Sequence, residues 1–260
     1  MMRCCFITLG CRVNQYESDA MAELLTQAGF EITENPAEAD VCIVNTCTVT
    51  NIADRKSRQM LSKAHKLNPN AKLIAAGCFA QRSPEAAAKL EGVYAVLGSA
   101  DKNRVVELVK SIAEGRENEP KSEKCNCGEK ELCDCCGGMK KFEQPENSEC
   151  SGNAAGGAKI LVRDVMHEHE FEEMSAVHEG RTRAYLKIQD GCNMFCTYCA
   201  IPYARGGLRS RSIESVRAEA EKLNNEGFSE VVLTGIHLMS YGRDLRSGTD
   251  IRDAVRCFDG

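Results

Sequence analysis

The chain has no run of about 18 or more apolar residues, the length that a membrane-spanning helix needs. Residues 1–6 lack the long apolar stretch and the small-residue cleavage site of a signal peptide. We therefore expect a cytoplasmic protein that does not enter a membrane. Basic residues are also not in excess, since the formal net charge is −5. The overall charge thus gives no sign of a nucleic-acid partner, which usually shows as a basic domain.

Cysteine, by contrast, is abundant, with 16 residues in a chain of 260. In an exported protein such a number would indicate disulfides. Without an export signal, metal binding or redox chemistry is the better interpretation. The apolar fraction of 43% is enough for a real core, and the length suggests two domains or one large one.

Strand-like and helix-like segments alternate in two parts of the chain, which predicts an α/β fold with parallel sheets. In the first part, strands are predicted at 3–9, 41–45, 72–76 and 93–97, and helices at 16–28, at 51–67, after Pro84 and at 102–114. In the second part, strands are predicted at 184–188 and 230–234, and helices at 213–225 and 249–258. Between these parts, residues 115–160 are rich in Glu, Lys, Gly, Asn and Cys, and such a segment buries too little apolar surface to order itself unless a metal helps.

Cys192, Cys196 and Cys199 form a C-x-x-x-C-x-x-C set directly after a predicted strand. Structural zinc sites normally use four protein ligands, so three thiolates suit a 4Fe–4S cluster with one open iron better. That iron could chelate the amino and carboxylate groups of S-adenosylmethionine (SAM), and an electron from the cluster would cleave the sulfonium to a radical. Tyr198 could lie against the adenine ring. A zinc loop or an electron-transfer cluster is the alternative.

Cys11, Cys47 and Cys78 are far apart in sequence, yet each directly follows a predicted strand. The carboxyl ends of parallel strands meet at one edge of a sheet, so the three thiols should converge there. Gly10 and Gly77 would let the backbone approach a cluster closely. The sharper interpretation is a second three-cysteine 4Fe–4S site. The alternative is three buried core cysteines, because free cysteine is among the most buried residue types.

Five stretches carry a family resemblance that covers both parts of the chain. They are T-L-G-C-R-V-N-Q-Y-E-S (8–18), V-N-T-C-T-V-T-N-I-A-D-R-K-S-R-Q (44–59), A-A-G-C-F-A-Q-R (75–82), D-G-C-N-M-F-C-T-Y-C (190–199) and V-V-L-T-G-I-H-L-M-S-Y-G (231–242). On these residues the chain resembles the radical SAM methylthiotransferases. The residues around Cys11 and Cys47 look like the branch that methylthiolates C2 of N6-threonylcarbamoyladenosine at tRNA position 37.

The resemblance implies two 4Fe–4S clusters and SAM as cofactors. It implies that the Cys11, Cys47 and Cys78 cluster holds the sulfur and that the Cys192, Cys196 and Cys199 cluster cleaves SAM. Thr234 and Gly235 would then lie near the amino group of SAM. The implied partners are the tRNA anticodon loop and an electron donor such as flavodoxin or ferredoxin. Action on another tRNA adenosine or on a protein side chain, or a non-catalytic iron–sulfur protein, are the alternatives.

The resemblance also implies three regions. They are a methylthiotransferase domain with a parallel sheet at 1–115, a partly disordered Cys-rich insert and linker at 116–180, and the start of a radical SAM partial (β/α) barrel at 181–260. The insert departs from the family pattern, and its cysteines either hold zinc or another soft metal or have no fixed site; they are Cys125, Cys127, Cys133, Cys135, Cys136 and Cys150. Only about two βα units follow residue 183. We therefore expect a fragment that is poorly stable and does not turn over tRNA alone.

Local charge adds modest support for RNA. Basic residues cluster on and beside the helix predicted at 51–67, and they are Arg55, Lys56, Arg58, Lys63, Lys66 and Lys72. Such side chains could hold phosphates. A solvated helix face is the alternative interpretation.

Overall fold

The computed structural model describes residues 1–115, 157–176 and 182–258. Its main feature is a six-stranded sheet in which every neighbouring pair of strands is parallel. The strands are β1 (Arg3–Thr8), β2 (Glu31–Ile32), β3 (Val41–Thr46), β4 (Lys72–Gly77), β5 (Val93–Leu97) and β6 (Lys159–Leu161). Their spatial order is β2-β1-β3-β4-β5-β6. The six cysteines of the predicted insert lie outside the described residues.

The central strands are covered on both faces, as parallel sheets require. Every residue of β3 is buried, and five of the six residues of β4 are buried. The covering helices of this part are α1 (Arg12–Gln27), α2 (Asn51–Leu67), α3 (Cys78–Arg82), α4 (Pro84–Ala88) and α5 (Val105–Ala113). Helix α2 begins as the sequence predicts, because the Thr50 hydroxyl accepts a hydrogen bond from the Ala53 amide at 3.1 Å.

The second part begins with a two-stranded parallel pair, β7 (Ala184–Lys187) and β10 (Val231–Thr234). A short antiparallel pair, β8 (Gln189–Asp190) with β9 (Arg209–Ser210), lies between them in sequence. Helices α6 (Ile201–Arg205), α7 (Ile213–Asn225) and α8 (Ile251–Arg256) complete this part. These βα units agree with the α/β class and with the start of a radical SAM region. No helix within the described residues has the length and apolar character needed to cross a membrane.

One apolar core is shared by both parts of the chain. It joins Met21 and Leu25 of α1 to Leu186, Val216 and Tyr241 of the second part. A second core lies on the other face of the six-stranded sheet, around Leu61 and Phe79. The two parts are therefore packed together rather than merely tethered.

The structure adds short elements that the sequence does not predict, namely β2, α3, β8, α6 and β9, and it changes two predictions. Helix α1 begins at Arg12, four residues before the predicted start, and buries Val13 and Asn14. Strand β6 comes from the segment that the sequence assigns to the insert and linker, and it pairs with β5. The division at residues 115 and 180 remains a prediction, but the first sheet draws a strand from beyond 115.

Candidate metal centres

The structure places Cys47 and Cys78 directly after β3 and β4, and Cys11 three residues beyond the end of β1. These three strands are neighbours in the sheet. All three strands are parallel, so the three cysteines lie at one edge. Cys11 is exposed, whereas Cys47 and Cys78 are buried. Helix α3, which begins at Cys78, packs against α6 of the second part.

Two glycines allow the strand ends to approach each other closely. Gly10 has φ +100°, and a Cβ built there would lie 2.9 Å from Cys47 Cβ and 3.0 Å from Cys47 Sγ. Gly77 has φ +87°, and its Cβ would lie 2.3 Å from Asn45 Oδ1. Both positions therefore need glycine for conformation and for space. The contact at Gly10 brings the Cys11 turn against Cys47.

Asn14 connects the two strand ends that carry Cys11 and Cys47. Its amide nitrogen donates to Leu9 O at 2.8 Å and to Thr46 O at 2.9 Å. Its Oδ1 accepts a hydrogen bond from Arg205 Nη2 at 2.5 Å and lies 3.9 Å from Cys11 Sγ. The fold thus uses one buried amide to hold the first two cysteine turns and to contact the second part.

Ser57 of α2 holds the Cys47 turn from the other side. Its hydroxyl accepts from the Cys47 amide at 3.0 Å and donates to the Cys47 carbonyl at 2.7 Å. Both backbone groups of this buried turn are satisfied in this way. Cys47 is therefore held by residues from α1 and α2 together.

A buried network of charged side chains lies between the two parts. Glu17 of α1 contacts Lys187 at 2.7 Å, Arg205 at 2.8 Å and Lys102 at 3.1 Å. Asp190 contacts Lys187 at 2.7 Å, Arg205 at 3.0 Å and Arg209 at 3.6 Å. The side chains are at most about 5% exposed.

Charges in this network shift each other's pKa values. Burial alone would raise the pKa of the Glu17 carboxyl, but Arg205, Lys102 and Lys187 hold it well below its usual range. Burial opposes the ionisation of Asp190 in the same way, and Arg205 and Lys187 again keep its pKa well below the usual range. Burial also raises the pKa of the Cys78 thiol, and the positive charge of Arg205 partly opposes this rise.

The Cys192 loop joins β8 to α6 and is held by its backbone. The Cys192 amide donates to Gly206 O at 3.1 Å, and the Cys199 amide donates to Cys196 O at 2.9 Å. Gly191 has φ +67°, and a Cβ there would lie 1.8 Å from Gly207 O, so the loop base has no room for a side chain. Cys196 is exposed, while Cys192 and Cys199 are partly exposed. Tyr198 is 90% exposed.

Gln189 connects this loop to the end of β10. Its Nε2 donates to Asp190 O at 2.6 Å and to Gly191 O at 2.7 Å, and its Oε1 accepts from the His237 amide at 2.7 Å. A Cβ on Gly235 would lie 2.9 Å from Gln189 Oε1. Gly235, after the buried Thr234 that ends β10, therefore stands beside the base of the Cys192 loop.

Comparison with known proteins agrees with this two-part arrangement. Residues 3–98 match the model of the uncharacterized protein family UPF0004, and residues 186–245 match that of the radical SAM superfamily. The chain is 38% identical over 242 residues to the threonylcarbamoyladenosine tRNA methylthiotransferase MtaB of Bacillus subtilis. The match covers 93% of this chain and 45% of that protein. The chain belongs to the radical SAM methylthiotransferase family.

Other members of the methylthiotransferase family are also similar. The ribosomal protein uS12 methylthiotransferase RimO of Chloroflexus aurantiacus is 32% identical, with 92% of this chain and 47% of that protein covered. The chain spans about half the length of the curated relatives it matches. The solved structure of the radical SAM methyltransferase TsrM from Kitasatospora setae, with tryptophan and a SAM analogue, has a TM-score of 0.55 at 16% identity and covers 99% of this chain and 50% of that one. It supports the fold alone.

The donor atoms fit the clusters of a radical SAM methylthiotransferase. The six cysteines are free thiols, and thiolates are the ligands that hold iron–sulfur clusters. Within residues 1–115, 157–176 and 182–258, no three Cys, His, Asp or Glu side chains are grouped as ligands of a single metal ion. A cluster of irons and sulfides is larger than one ion and takes more widely spaced thiolates. The ligand roles of the six cysteines remain a prediction.

The residues that hold these sites were not predicted from the sequence, and they are Asn14, Glu17, Lys102, Gln189 and Arg205. Their signal in the sequence is weak, because polar residues in a helix normally indicate a solvated face. The one available clue is that Asn14 and Glu17 fall inside the R-V-N-Q-Y-E-S stretch and Arg205 inside A-R-G-G. Their burial becomes evident only when the two parts are packed together.

Proposed function

We propose that the chain forms the catalytic half of a tRNA methylthiotransferase that acts on C2 of N6-threonylcarbamoyladenosine at position 37. Cys11, Cys47 and Cys78 would hold one 4Fe–4S cluster, and Cys192, Cys196 and Cys199 would hold a second that binds SAM. The observation that carries this proposal is the placement of the first three cysteines at the ends of three neighbouring parallel strands. That edge is packed against the part that bears the Cys192 loop.

The bound clusters and SAM would supply one-electron chemistry, a sulfur atom and a methyl group. C2 of an adenine carries an aromatic C–H bond that an ordinary acid–base pair does not activate. The buried carboxylates are consistent with this view, because Glu17 and Asp190 are both engaged by cations and held ionised. They serve the packing of the two parts rather than proton transfer.

The residues of the chain itself would bind, orient and shield. Asn14 and Ser57 hold the first two cysteine turns through buried hydrogen bonds. Gln189 fixes the base of the Cys192 loop relative to Gly235. We propose Thr234 and Gly235 as contacts for SAM for this reason. Tyr198, whose exposed ring lies on the same loop, is the proposed stacking partner for its adenine.

Three observations support the choice of substrate. The residues around Cys11 and Cys47 match the threonylcarbamoyladenosine branch. Relatives named for that substrate reach 38% and 36% identity, while RimO of Chloroflexus aurantiacus is 32% identical. A groove on α2 is lined by cationic and polar side chains that suit RNA phosphates, namely Arg55, Arg58, Gln59, Ser62, Lys63 and Lys66. The proposed partners are the tRNA anticodon loop and a flavodoxin or ferredoxin, and the proposed location is the cytoplasm.

The first test addresses the chemistry. The anaerobically reconstituted chain is mixed with SAM and dithionite, and release of 5′-deoxyadenosine is measured. We expect release from the unaltered chain and from Cys257→Ala, a cysteine outside both sets, and none from Cys196→Ala. Release that persists in Cys196→Ala would contradict the assignment of the second cluster. A fully iron-loaded chain that leaves SAM intact would instead support a non-catalytic iron–sulfur protein.

The second test addresses the substrate. The gene is expressed in a bacterium that lacks its own threonylcarbamoyladenosine methylthiotransferase, and tRNA nucleosides are analysed by mass spectrometry. We expect no methylthio product from the chain alone. When the chain is joined to the part of Bacillus subtilis MtaB that it does not match, we expect the 2-methylthio derivative of N6-threonylcarbamoyladenosine, and none when this fusion carries Cys47→Ala. A methylthio group on another tRNA adenosine, or on a ribosomal protein, would replace the proposed substrate with one of the alternatives. Product from the 260-residue chain alone would contradict the expectation that it is inactive by itself, and absence of product from an iron-loaded fusion would contradict the proposed function.

A further inference from the structure

We propose that Arg205, which belongs to the radical SAM part, is a positioning residue for the cluster at Cys11, Cys47 and Cys78 and raises its reduction potential. The inference rests on the proposed function, because it requires that a cluster is bound there. It goes further because it places a residue of the second part of the chain in the surroundings of the first cluster. The charged surroundings of the first cysteine site would then form only when the two parts are packed together.

The position of Arg205 supports this role. It is the last residue of α6, and α6 packs against α3, whose first residue is Cys78. Its Nη2 donates to Asn14 Oδ1, and the same Asn14 amide holds the turns of Cys11 and Cys47. One guanidinium thus contacts the residue that organises two of the cysteines and stands near the third.

Arg205 also has one buried N–H donor without an acceptor. The side chain is completely buried, and its Nε has no hydrogen-bond partner among the described residues. A buried N–H without an acceptor is costly, so such an atom calls for an explanation. The remaining nitrogens are engaged by Glu17, Asp190 and Asn14. A thiolate or sulfide of a bound cluster would supply the missing acceptor.

The charge of the whole network points the same way. Among the described residues, it contains the cations Lys102, Lys187, Arg205 and Arg209 and the carboxylates Glu17 and Asp190. It therefore holds an excess of two positive charges in a buried place. Uncompensated buried charge is strongly unfavourable. An oxidised 4Fe–4S core carries two positive charges, so three thiolates give the cluster one negative charge. A cluster at Cys11, Cys47 and Cys78 would therefore offset half of the excess, and its one-electron reduced form would offset all of it.

The place of Arg205 beside α3 is consistent with this arrangement. Arg205 ends α6, and α6 packs against the helix that begins at Cys78. A buried positive charge there would favour the extra electron of a reduced cluster. A role confined to joining the two parts would predict no such effect on the cluster.

The test uses the full chain with Cys192→Ala, Cys196→Ala and Cys199→Ala, so that only the first cluster can form. Iron is counted first, and the midpoint potential of the cluster is then measured by an anaerobic redox titration followed by electron paramagnetic resonance. Arg205→Gln, Glu17→Gln and Arg205→Lys are added separately. Arg211→Gln is the matched control, because Arg211 is also buried and also paired with carboxylates, but with Glu173 and Glu219.

We expect opposite shifts from the two charge removals. Arg205→Gln should lower the potential and Glu17→Gln should raise it, each by at least a tenfold change in the reduced-to-oxidised ratio, which is about 59 mV for one electron. Arg205→Lys should restore most of the potential, and Arg211→Gln should leave it unchanged. If either variant does not fold, Lys102→Gln replaces Arg205→Gln and Asp190→Asn replaces Glu17→Gln, with the same expected signs.

Three results would overturn the inference. Potential shifts of the same sign in Arg205→Gln and Glu17→Gln would do so, and so would the absence of a shift in both variants, because either result would show that the network only packs the two parts together. A parent chain that takes up no iron would remove the inference and the proposed first cluster at once. The two failures are distinguishable, because the iron count comes before any change at Arg205.

Discussion

Glu17 should contribute more to the stability of the chain than any exposed carboxylate. Its side chain is fully buried and contacts Lys187, Arg205 and Lys102 at 2.7, 2.8 and 3.1 Å. Glu17→Gln keeps the shape but removes the charge, so three cations lose a shared partner. Breaking a buried ion pair in this way costs about 3–5 kcal/mol. That is a large share of the roughly 5–15 kcal/mol by which a typical protein is stable.

The assay is thermal and urea unfolding of the metal-free, reduced chain, followed by circular dichroism. For a protein of about this size, 1 kcal/mol lowers the Tm by roughly 2–4 °C, so we expect a fall of roughly 6–20 °C. Glu230→Gln is the matched control, because Glu230 pairs with Arg183 at 3.2 Å with both side chains about half exposed. An exposed pair contributes about 0–1 kcal/mol. A Glu17→Gln variant as stable as Glu230→Gln would refute the reasoning.

Three further predictions concern the same region. The pKa values of Glu17 and Asp190 are depressed in the folded chain, so these carboxylates should stabilise it fully above their usual pKa of about 4 and less as the pH falls below that value. Tm measured from pH 7 to 3 should therefore be level at first and then decline. A level Tm throughout would contradict the ion-pair network. Gly10→Ala should destabilise the chain more than Gly29→Ala in urea titrations, because both glycines have positive φ but only Gly10 lacks space for a Cβ. Equal losses of unfolding free energy would argue against close contact of the Cys11 and Cys47 turns. Asn14→Ala should lower the free energy of unfolding by about 1–3 kcal/mol, because two backbone carbonyls lose their hydrogen-bond donor. The variant should also lose iron to a chelator faster. Unchanged iron retention would contradict the role of Asn14 in holding the Cys11 and Cys47 turns.

Most of the fold follows from local sequence patterns. The apolar runs that end at Cys11, Cys47 and Cys78 predict three strands of one parallel sheet, and the structure places them side by side. Strand β6 could not be found in this way, because a segment of three residues is too short to show a strand pattern and becomes a strand only by pairing with β5. Helix α1 was predicted too short because Asn14 and the residues beside it look like a polar loop.

Burial of charge explains why the environment of the site was missed. Glu17 and Lys102 are typical of a solvated surface when each is considered within its own helix. Glu17 becomes buried only because Lys102, Lys187 and Arg205, all more than 80 residues later in the sequence, bring opposite charges to it, and Glu17 in turn is the partner of the buried Lys102. Such long-range compensation leaves no periodic trace in the chain. The cysteines, whose chemistry is specific by residue type, were visible from the sequence alone.

If two separate sets of three cysteines each hold one cluster, the iron content of the chain must fall by half when either set is removed. After anaerobic reconstitution, iron and sulfide per chain are measured in the unaltered protein and in two triple variants, one with Ala at positions 11, 47 and 78 and one with Ala at 192, 196 and 199. We expect about eight irons for the unaltered chain and about four for each triple variant. A variant without Cys11, Cys47 and Cys78 that still holds about eight irons would contradict this expectation.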